Sequence, residues 1–219
     1  MDGSDAIEYI LKHTIPGALV ECGVDKGAQP KCWMETLIKH QCTDRDIYLY
    51  DTFAGMTEPT KEDYSIRDSL MYHCTALQVQ QEWEKQQRDD HNEWCYGSLE
   101  EVQKTLLDTG YPLDKIHFIK GDVLQTLQNA MNIPNQIALL RMDTDWYESS
   151  KKEMEVLYPH VVNNGVVIMD DYYHWNGQRK ATDEYLINHQ LDYKIHRVNA
   201  KVGAFIKTIP EPFGKLYVL

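Results

Sequence analysis

Four aspartates in two short stretches carry the chemistry most open to reading in this chain. The run Ile137-Ala-Leu-Leu-Arg-Met142 ends in Asp143 and Asp145, and the run Val166-Val-Ile-Met169 ends in Asp170 and Asp171. The segment between them is long enough for one helix, so the pair reads as strand, helix, strand, with the strands parallel. Parallel neighbours lie about 4.8 Å apart, and carboxylates at their carboxyl ends can converge on one ion. A set of oxygen donors without His or Cys suits a hard cation, Mg²⁺ ahead of Mn²⁺ or Ca²⁺. Asp143, Asp170 and Asp171 are the expected ligands.

A hydroxyl bound to such an ion has a lowered pKa, and a nearby carboxylate can take its proton at neutral pH. Asp145 is two residues past Asp143. On an extended chain it faces the same side, which makes it the candidate general base, with the roles of Asp143 and Asp145 exchangeable. Helix capping accounts for single acids at strand ends. Four crowded carboxylates repel one another unless a cation intervenes. His174 follows closely; it is a substrate contact, a second base or a plain surface imidazole. Trp146 and Trp175 offer apolar walls for a substrate, or core packing.

These groups need a scaffold that brings strand ends to one edge, and the rest of the chain supplies it. Ala18–Val24 reads as a buried strand running into Asp25-Lys-Gly27 and a helix, with Pro30 near its first turn. Gly23 and Gly27 let the backbone approach a ligand there, and the helix start offers free N–H groups. The spacing Glu21-x-Gly23-x-x-x-Gly27 lacks the third glycine of a dinucleotide site, which disfavours a nicotinamide oxidoreductase. It resembles motif I of S-adenosylmethionine-dependent methyltransferases. Asp46–Asp51 is a second strand, and its terminal Asp51 is placed to accept hydrogen bonds from ribose hydroxyls. Ile116–Asp122 is a third, with Asp122 placed beside an adenine edge.

Residues 52–97, opening at Thr52, are polar and aromatic by turns and are expected to form a lid or substrate wall. Ser98 and Glu101 form a capping box for a helix through Leu107, and Ser150 and Glu153 suggest a second one. Asn176–Leu186 reads as a further helix, and 194–199 with 202–208 as a closing hairpin. The expected fold is α/β: one domain over 1–219, a doubly wound, mostly parallel sheet with its last strand antiparallel.

Bulk properties narrow the partners. A formal charge of −12 over 219 residues argues against nucleic acid and against an anionic membrane surface. No apolar run approaches the roughly 20 residues of a membrane span, and the acidic start lacks the features of a signal peptide. A cytoplasmic location and a small hydroxylated substrate are expected. Five cysteines without CxxC spacing point to free thiols.

Several blocks are similar to those of the macrocin-type (TylF-like) sugar O-methyltransferases of antibiotic biosynthesis: LLRMDTDWYESS, LYPHVVNNGVVIMDDYYHWNGQRKATDEY and FIKGDVLQTL, with VECGVDKGA and YDTFAGM as cofactor motifs. The similarity runs from Ala18 to about Leu186. It implies the seven-stranded class I methyltransferase fold, S-adenosylmethionine as donor and Mg²⁺ dependence. By the same resemblance the metal aspartates fall on Asp143, Asp170 and Asp171, and the second acid of the D-x-D pair falls on Asp145. The cofactor positions fall on Glu21, Gly23, Gly27, Asp51, Thr52, Asp122 and Asp143, with Ser98 ahead of the third strand. A homodimer is expected by analogy alone. Asp25-Lys26 stands where the family usually has Trp-Arg, the region before the first strand is shorter, and Gln178 replaces the usual Cys. A catechol-like phenol acceptor, or a noncatalytic S-adenosylmethionine-binding protein, are the alternatives.

Overall fold

The computed structural model describes residues 3–67 and 74–208. In chain order the elements are α1 (Gly3–Lys12), β1 (Ala18–Cys22), α2 (Ala28–Lys39), β2 (Ile47–Asp51), α3 (Ala76–Gln86), α4 (Leu99–Leu107), β3 (Ile116–Lys120), α5 (Val123–Thr126), β4 (Ile137–Met142), α6 (Tyr147–Val156), β5 (Val161–Met169), α7 (Asn176–Asn188), β6 (His196–Arg197) and β7 (Gly203–Ile206). The strands form one seven-stranded sheet in the order β3-β2-β1-β4-β5-β7-β6. The first five strands of that order are parallel, and β7 runs antiparallel to both β5 and β6.

The central strands are buried on both faces because helices cover both, so they read as nearly continuous apolar runs. Every residue of β1 and of β4 is buried. Successive side chains point to opposite faces. Leu19, Leu139 and Ile168 pack with α1, α2 and α4 on one side. Val20, Leu140 and Val167 pack with α5, α6 and α7 on the other. The strand order reverses between β1 and β4, and ligands of open α/β sheets bind outside the carboxyl ends of strands at such a point.

Two local expectations change. The Ser150–Glu153 pair does not start α6; the helix begins at Tyr147 after Trp146, and Ser150 is fully buried one turn inside it. The stretch after Asp122 is a single helical turn, α5, with a separate 3₁₀ turn at Ala130–Asn132. The closing hairpin forms as β6 and β7, and all five cysteines are free. Among the described residues no helix is long and apolar enough to cross a membrane.

Residues 52–97 lie over the sheet edge, apart from 68–73, which fall outside the described residues. Thr75 and Gln78 form a reciprocal capping box that starts α3. The segment is tied to itself by Met56 N–H to the Trp94 carbonyl (3.1 Å) and by the Trp83 indole N–H to the Met56 carbonyl (2.9 Å). Its attachments to the acidic edge include Ile66 N–H to the His174 carbonyl (2.8 Å) and Asn176 N–H to the Tyr64 carbonyl (2.9 Å).

Candidate active site

Arg141 organises the acidic edge. It sits one residue from the carboxyl end of the fully buried strand β4, where an unpaired charge would cost several kcal/mol, and it is paired three times over. Nη1 donates to Glu21 Oε1 at 2.5 Å and to Asp143 Oδ2 at 2.6 Å, and Nη2 donates to Asp170 Oδ1 at 2.6 Å. One guanidinium thus fixes acids from β1, from the end of β4 and from the end of β5. Glu21 is buried beneath the cavity and acts as a partner of Arg141 rather than as a lining residue.

The backbone places the remaining acids. Asp143 N–H donates to the Cys22 carbonyl (2.8 Å), extending the β1–β4 pairing by one residue. Gly23 crosses so close to it that a Cβ there would stand 2.2 Å from the Asp143 carbonyl oxygen, and its φ of 82° favours glycine as well. Asp145 is not extended: its φ is 65°. The turn after Asp143, and not strand alternation, brings its carboxylate back to the cluster. Buried Gln178 holds the β5 side, accepting from Asp171 N–H (2.7 Å) and donating to the Met142 carbonyl (3.0 Å).

Carboxylate oxygens of Asp143, Asp145 and Asp171 come within 4.8 Å of one another. Asp170, expected among the ligands, lies outside this triad. Its Oδ1 faces Arg141, and its Oδ2 accepts from Lys201 Nζ at 2.6 Å. His174 Nδ1 is 3.0 Å from Asp171 Oδ1. Burial favours the neutral form of Asp171, but the His174 contact and the Lys201 ammonium outweigh it and leave the pKa below the ordinary value. Asp145 goes the other way, raised well above the usual range by burial and then by the charges of Asp171 and Asp143.

Five carboxylates, Glu21, Asp143, Asp145, Asp170 and Asp171, therefore meet two permanent cations, Arg141 and Lys201. Asp145 Oδ1 is buried without a hydrogen-bond partner. A hard divalent cation fits this donor set, because the acids outnumber the basic groups that face them, and the open Oδ1 of Asp145 leaves a free acceptor beside the ion.

The triad forms one end of a cavity of about 370 Å³, within the size range of small-molecule sites. Asp51, Thr52 and Asp122 line it from the β2 and β3 side, with Gly23 against Asp143 and with His174 and Lys201 also in the lining. Asp51 is rigidly held: Oδ2 accepts from Val24 N–H (2.6 Å) and Asp25 N–H (3.1 Å), and Oδ1 accepts from Phe53 N–H (2.7 Å). Oδ2 is filled by its two backbone donors, whereas Oδ1, with one backbone donor, keeps lone-pair capacity for a ligand hydroxyl. Asp122 caps α5 through Leu124 N–H (2.8 Å) while also lining the cavity. Gly27 and Ser98 do not line it. Gly27 opens α2 at φ 80°, and Ser98 caps α4 reciprocally with Glu101.

Residues 52–97 provide the outer wall through Gly55, Met56, Thr57, Trp94 and Cys95. Trp94, Trp146 and Trp175 meet edge to face, with ring centroids 5.3–6.3 Å apart, and His174 stacks on Trp175 at 4.4 Å. Trp94 and Trp175 belong to the cavity lining, whereas Trp146 is buried behind them and donates its indole N–H to the Thr57 carbonyl (2.9 Å). Arg141 and Lys201 escape a reading by motif. An arginine inside an otherwise apolar strand run was the available sign of the first, because such a charge has to be paired. The second comes from a hairpin tip whose register no local pattern sets.

The macrocin-O-methyltransferase (TylF) family profile matches residues 2–207. Over 166 residues the chain is 29% identical to the 8-demethyl-8-(2,3-dimethoxy-alpha-L-rhamnosyl)-tetracenomycin-C 4'-O-methyltransferase of Streptomyces olivaceus, covering 76% of this chain and 57% of that protein. It is 29% identical over 179 residues to the demethyldecarbamoylnovobiocin O-methyltransferase of Streptomyces niveus, covering 82% of this chain and 62% of that one. The chain thus spans only 57% and 62% of the length of these two relatives. Among solved structures, the O-methyltransferase NovP superposes with a TM-score of 0.79 at 24% identity, over 95% of this chain and 78% of that one. The calicheamicin methyltransferase CalS11 gives 0.67 at 18%, over 93% and 76%. The structural likeness establishes the class I methyltransferase fold.

Proposed function

Because the chain belongs to the macrocin-O-methyltransferase (TylF) family, we propose that it transfers the methyl group of S-adenosylmethionine to a hydroxyl of a sugar or glycosylated natural product. The observation that carries this reading is the two-ended cavity. One end presents a backbone-locked carboxylate, Asp51, on the β1–β2 side of the sheet, and the other presents the Asp143, Asp145, Asp171 triad at β4 and β5. The first suits the nucleoside of the donor, and the second suits an acceptor hydroxyl. The rhamnosyl tetracenomycin in the name of the Streptomyces olivaceus relative supports a glycosylated acceptor.

Asp51 and Asp122 would orient the nucleoside, with Gly23 allowing the backbone to lie close to it. Asp143 and Asp171 would hold Mg²⁺, whose bound state lowers the pKa of a coordinated hydroxyl. Burial, helped by the charges of Asp171 and Asp143, keeps Asp145 protonated in the ion-free protein. With a cation neutralising those charges, Asp145 would ionise and be placed to take the acceptor proton, while Arg141 keeps Asp143 oriented. The tryptophan wall excludes water from the acceptor end. The remaining rate enhancement comes from positioning.

The test is turnover. The protein is incubated with S-adenosylmethionine and a panel of free sugars, nucleotide-linked sugars and glycosylated natural products, with Mg²⁺ or with chelator. S-adenosylhomocysteine and the methylated product are then measured by mass spectrometry. Product with a sugar hydroxyl, lost in chelator, is expected. No turnover across the panel would refute the activity, and undiminished turnover in chelator would remove Mg²⁺ from it.

A further inference from the structure

Lys201 stands where a divalent cation has to be received. Its Nζ lies 2.6 Å from Asp170 Oδ2 and 3.6 Å from Asp171 Oδ2, and the residue lines the cavity. Arg141 holds the other oxygen of Asp170. Asp170 is therefore capped by a cation on both sides, which is why the converging triad contains Asp145 in its place. The orphaned Oδ1 of Asp145, in a residue only 9% exposed, marks a cluster that its resident charges do not complete.

The two cations differ in their freedom. The Arg141 side chain is 7% exposed and is clamped by three acids. The Lys201 side chain is 42% exposed. Its backbone, by contrast, is pinned: Asn199 Oδ1 accepts from the N–H groups of Lys201 (2.9 Å) and Val202 (3.0 Å), and the Lys201 carbonyl accepts from Tyr173 N–H (2.8 Å). The ammonium can thus turn out to solvent on its four-carbon stem with the hairpin tip unmoved.

We propose that Lys201 is a tethered counter-ion of the metal site, occupying Asp170 and Asp171 in the ion-free protein and surrendering both carboxylates when a divalent cation loads. This rests on the Mg²⁺ reading above. Displacement frees Asp170 to join Asp143 and Asp171 around the ion and leaves Asp145 available for the acceptor proton. Two cations that compete for the same oxygens are linked. The ammonium stabilises the ion-free protein, and the affinity for the divalent ion is lowered by whatever the displaced contact contributed.

The experiment is calorimetric titration of the wild type, Lys201→Met and Lys201→Arg with MgCl₂ and with MnCl₂, together with thermal melts with and without each ion. Lys201→Met is expected to bind the ion roughly twofold to fivefold more tightly. It should melt lower than wild type without the ion and gain more on saturation, while Lys201→Arg, which keeps the charge, binds no more tightly than wild type. Lys201→Gln provides the same comparison should the methionine variant not fold. Binding to wild type with equal or weaker affinity in the uncharged variants overturns the counter-ion role and leaves the Mg²⁺ reading standing. No heat and no melting shift in any of the proteins overturns both.

Discussion

Asp63 Oδ1 accepts the backbone N–H of Tyr147 at 2.8 Å, across 84 residues of sequence. Tyr147 is the first residue of α6, and Trp146 before it supplies no side-chain cap. A carboxylate from the covering segment therefore satisfies one of the four N–H groups that a helix start leaves open. Oδ2 of the same residue accepts from the N–H (2.7 Å) and the hydroxyl (2.8 Å) of Thr60. A Cβ on Gly177, at the start of α7, would stand 2.0 Å from Asp63 Oδ1. One fully buried side chain thus sets the spacing of α6, α7 and the outer wall of the cavity.

Asp63→Ala is expected to cost about 2 kcal/mol, the loss of a cap plus a buried donor left unpaired. Asp63→Asn, which keeps one acceptor oxygen, should cost less. Urea denaturation measures both. A loss within about 0.5 kcal/mol for Asp63→Ala, the range of an ordinary surface substitution, would show that the wall is held elsewhere.

Glu153 gives a pH-dependent stability. It is fully buried on α6, accepts only from the Thr144 hydroxyl (2.7 Å), and leaves Oε2 without a partner. Burial pushes its pKa up to about 8, against the pull of the Thr144 hydrogen bond. The folded protein thus holds a proton that the unfolded chain releases near 4.5. The favourable contribution is complete below that value and is lost as pH rises toward about 8. Glu153→Gln removes this residue's share of the dependence, to which buried Glu21, also raised to about 8, adds its own. The variant's melting temperature should gain on wild type between pH 5 and pH 8, with a slope of at most about 1.4 kcal/mol per pH unit. A constant offset between the two proteins across that range would show that Glu153 keeps an ordinary pKa.

The order of strands and helices was legible because buried parallel strands leave near-continuous apolar runs, as in Ala18–Cys22 and Ile137–Met142, with helical patterns between them. The acidic strand ends followed from the same pattern. What could not be read depends on contacts remote in sequence. Ser150 and Glu153 have capping-box spacing, yet the cap of α6 comes from Asp63, and both residues turn inward instead. Asp170 reads as a free ligand until Lys201, from a hairpin tip 31 residues on, is placed against it. Asp145 joins the cluster through a left-handed turn, where alternation along an extended strand was expected.

Asp145→Asn separates the proton acceptor from the ion holders. The amide keeps the shape of the side chain but accepts no proton at neutral pH, so kcat should fall by about 10²–10⁴. Mg²⁺ affinity should change far less, because Asp143, Asp170 and Asp171 remain. Steady-state kinetics and calorimetry on the same preparation make the comparison. Activity within a few-fold of wild type would pass the base role to Asp143, the other member of the D-x-D pair.

Trp94 tests the division of the cavity into a donor end and an acceptor end. It belongs to the covering segment, lines the cavity, and meets Trp146 and Trp175 edge to face at 5.6 and 6.3 Å. Such ring contacts contribute about 0.5–1.5 kcal/mol each beyond the area they bury, so the same surface can hold the apolar face of an acceptor ring. Asp51 and Asp122 stand at or just past the ends of β2 and β3, on the other side of the switch point from the triad. Trp94→Ala is therefore expected to raise the KM for the acceptor about threefold to tenfold, while the Kd for S-adenosylhomocysteine, measured by calorimetry, stays near the wild-type value. Trp94→Phe should fall between the two. A loss of S-adenosylhomocysteine affinity as large as the rise in KM would mean that the tryptophan wall serves the donor, and the assignment of the two ends would have to be reversed.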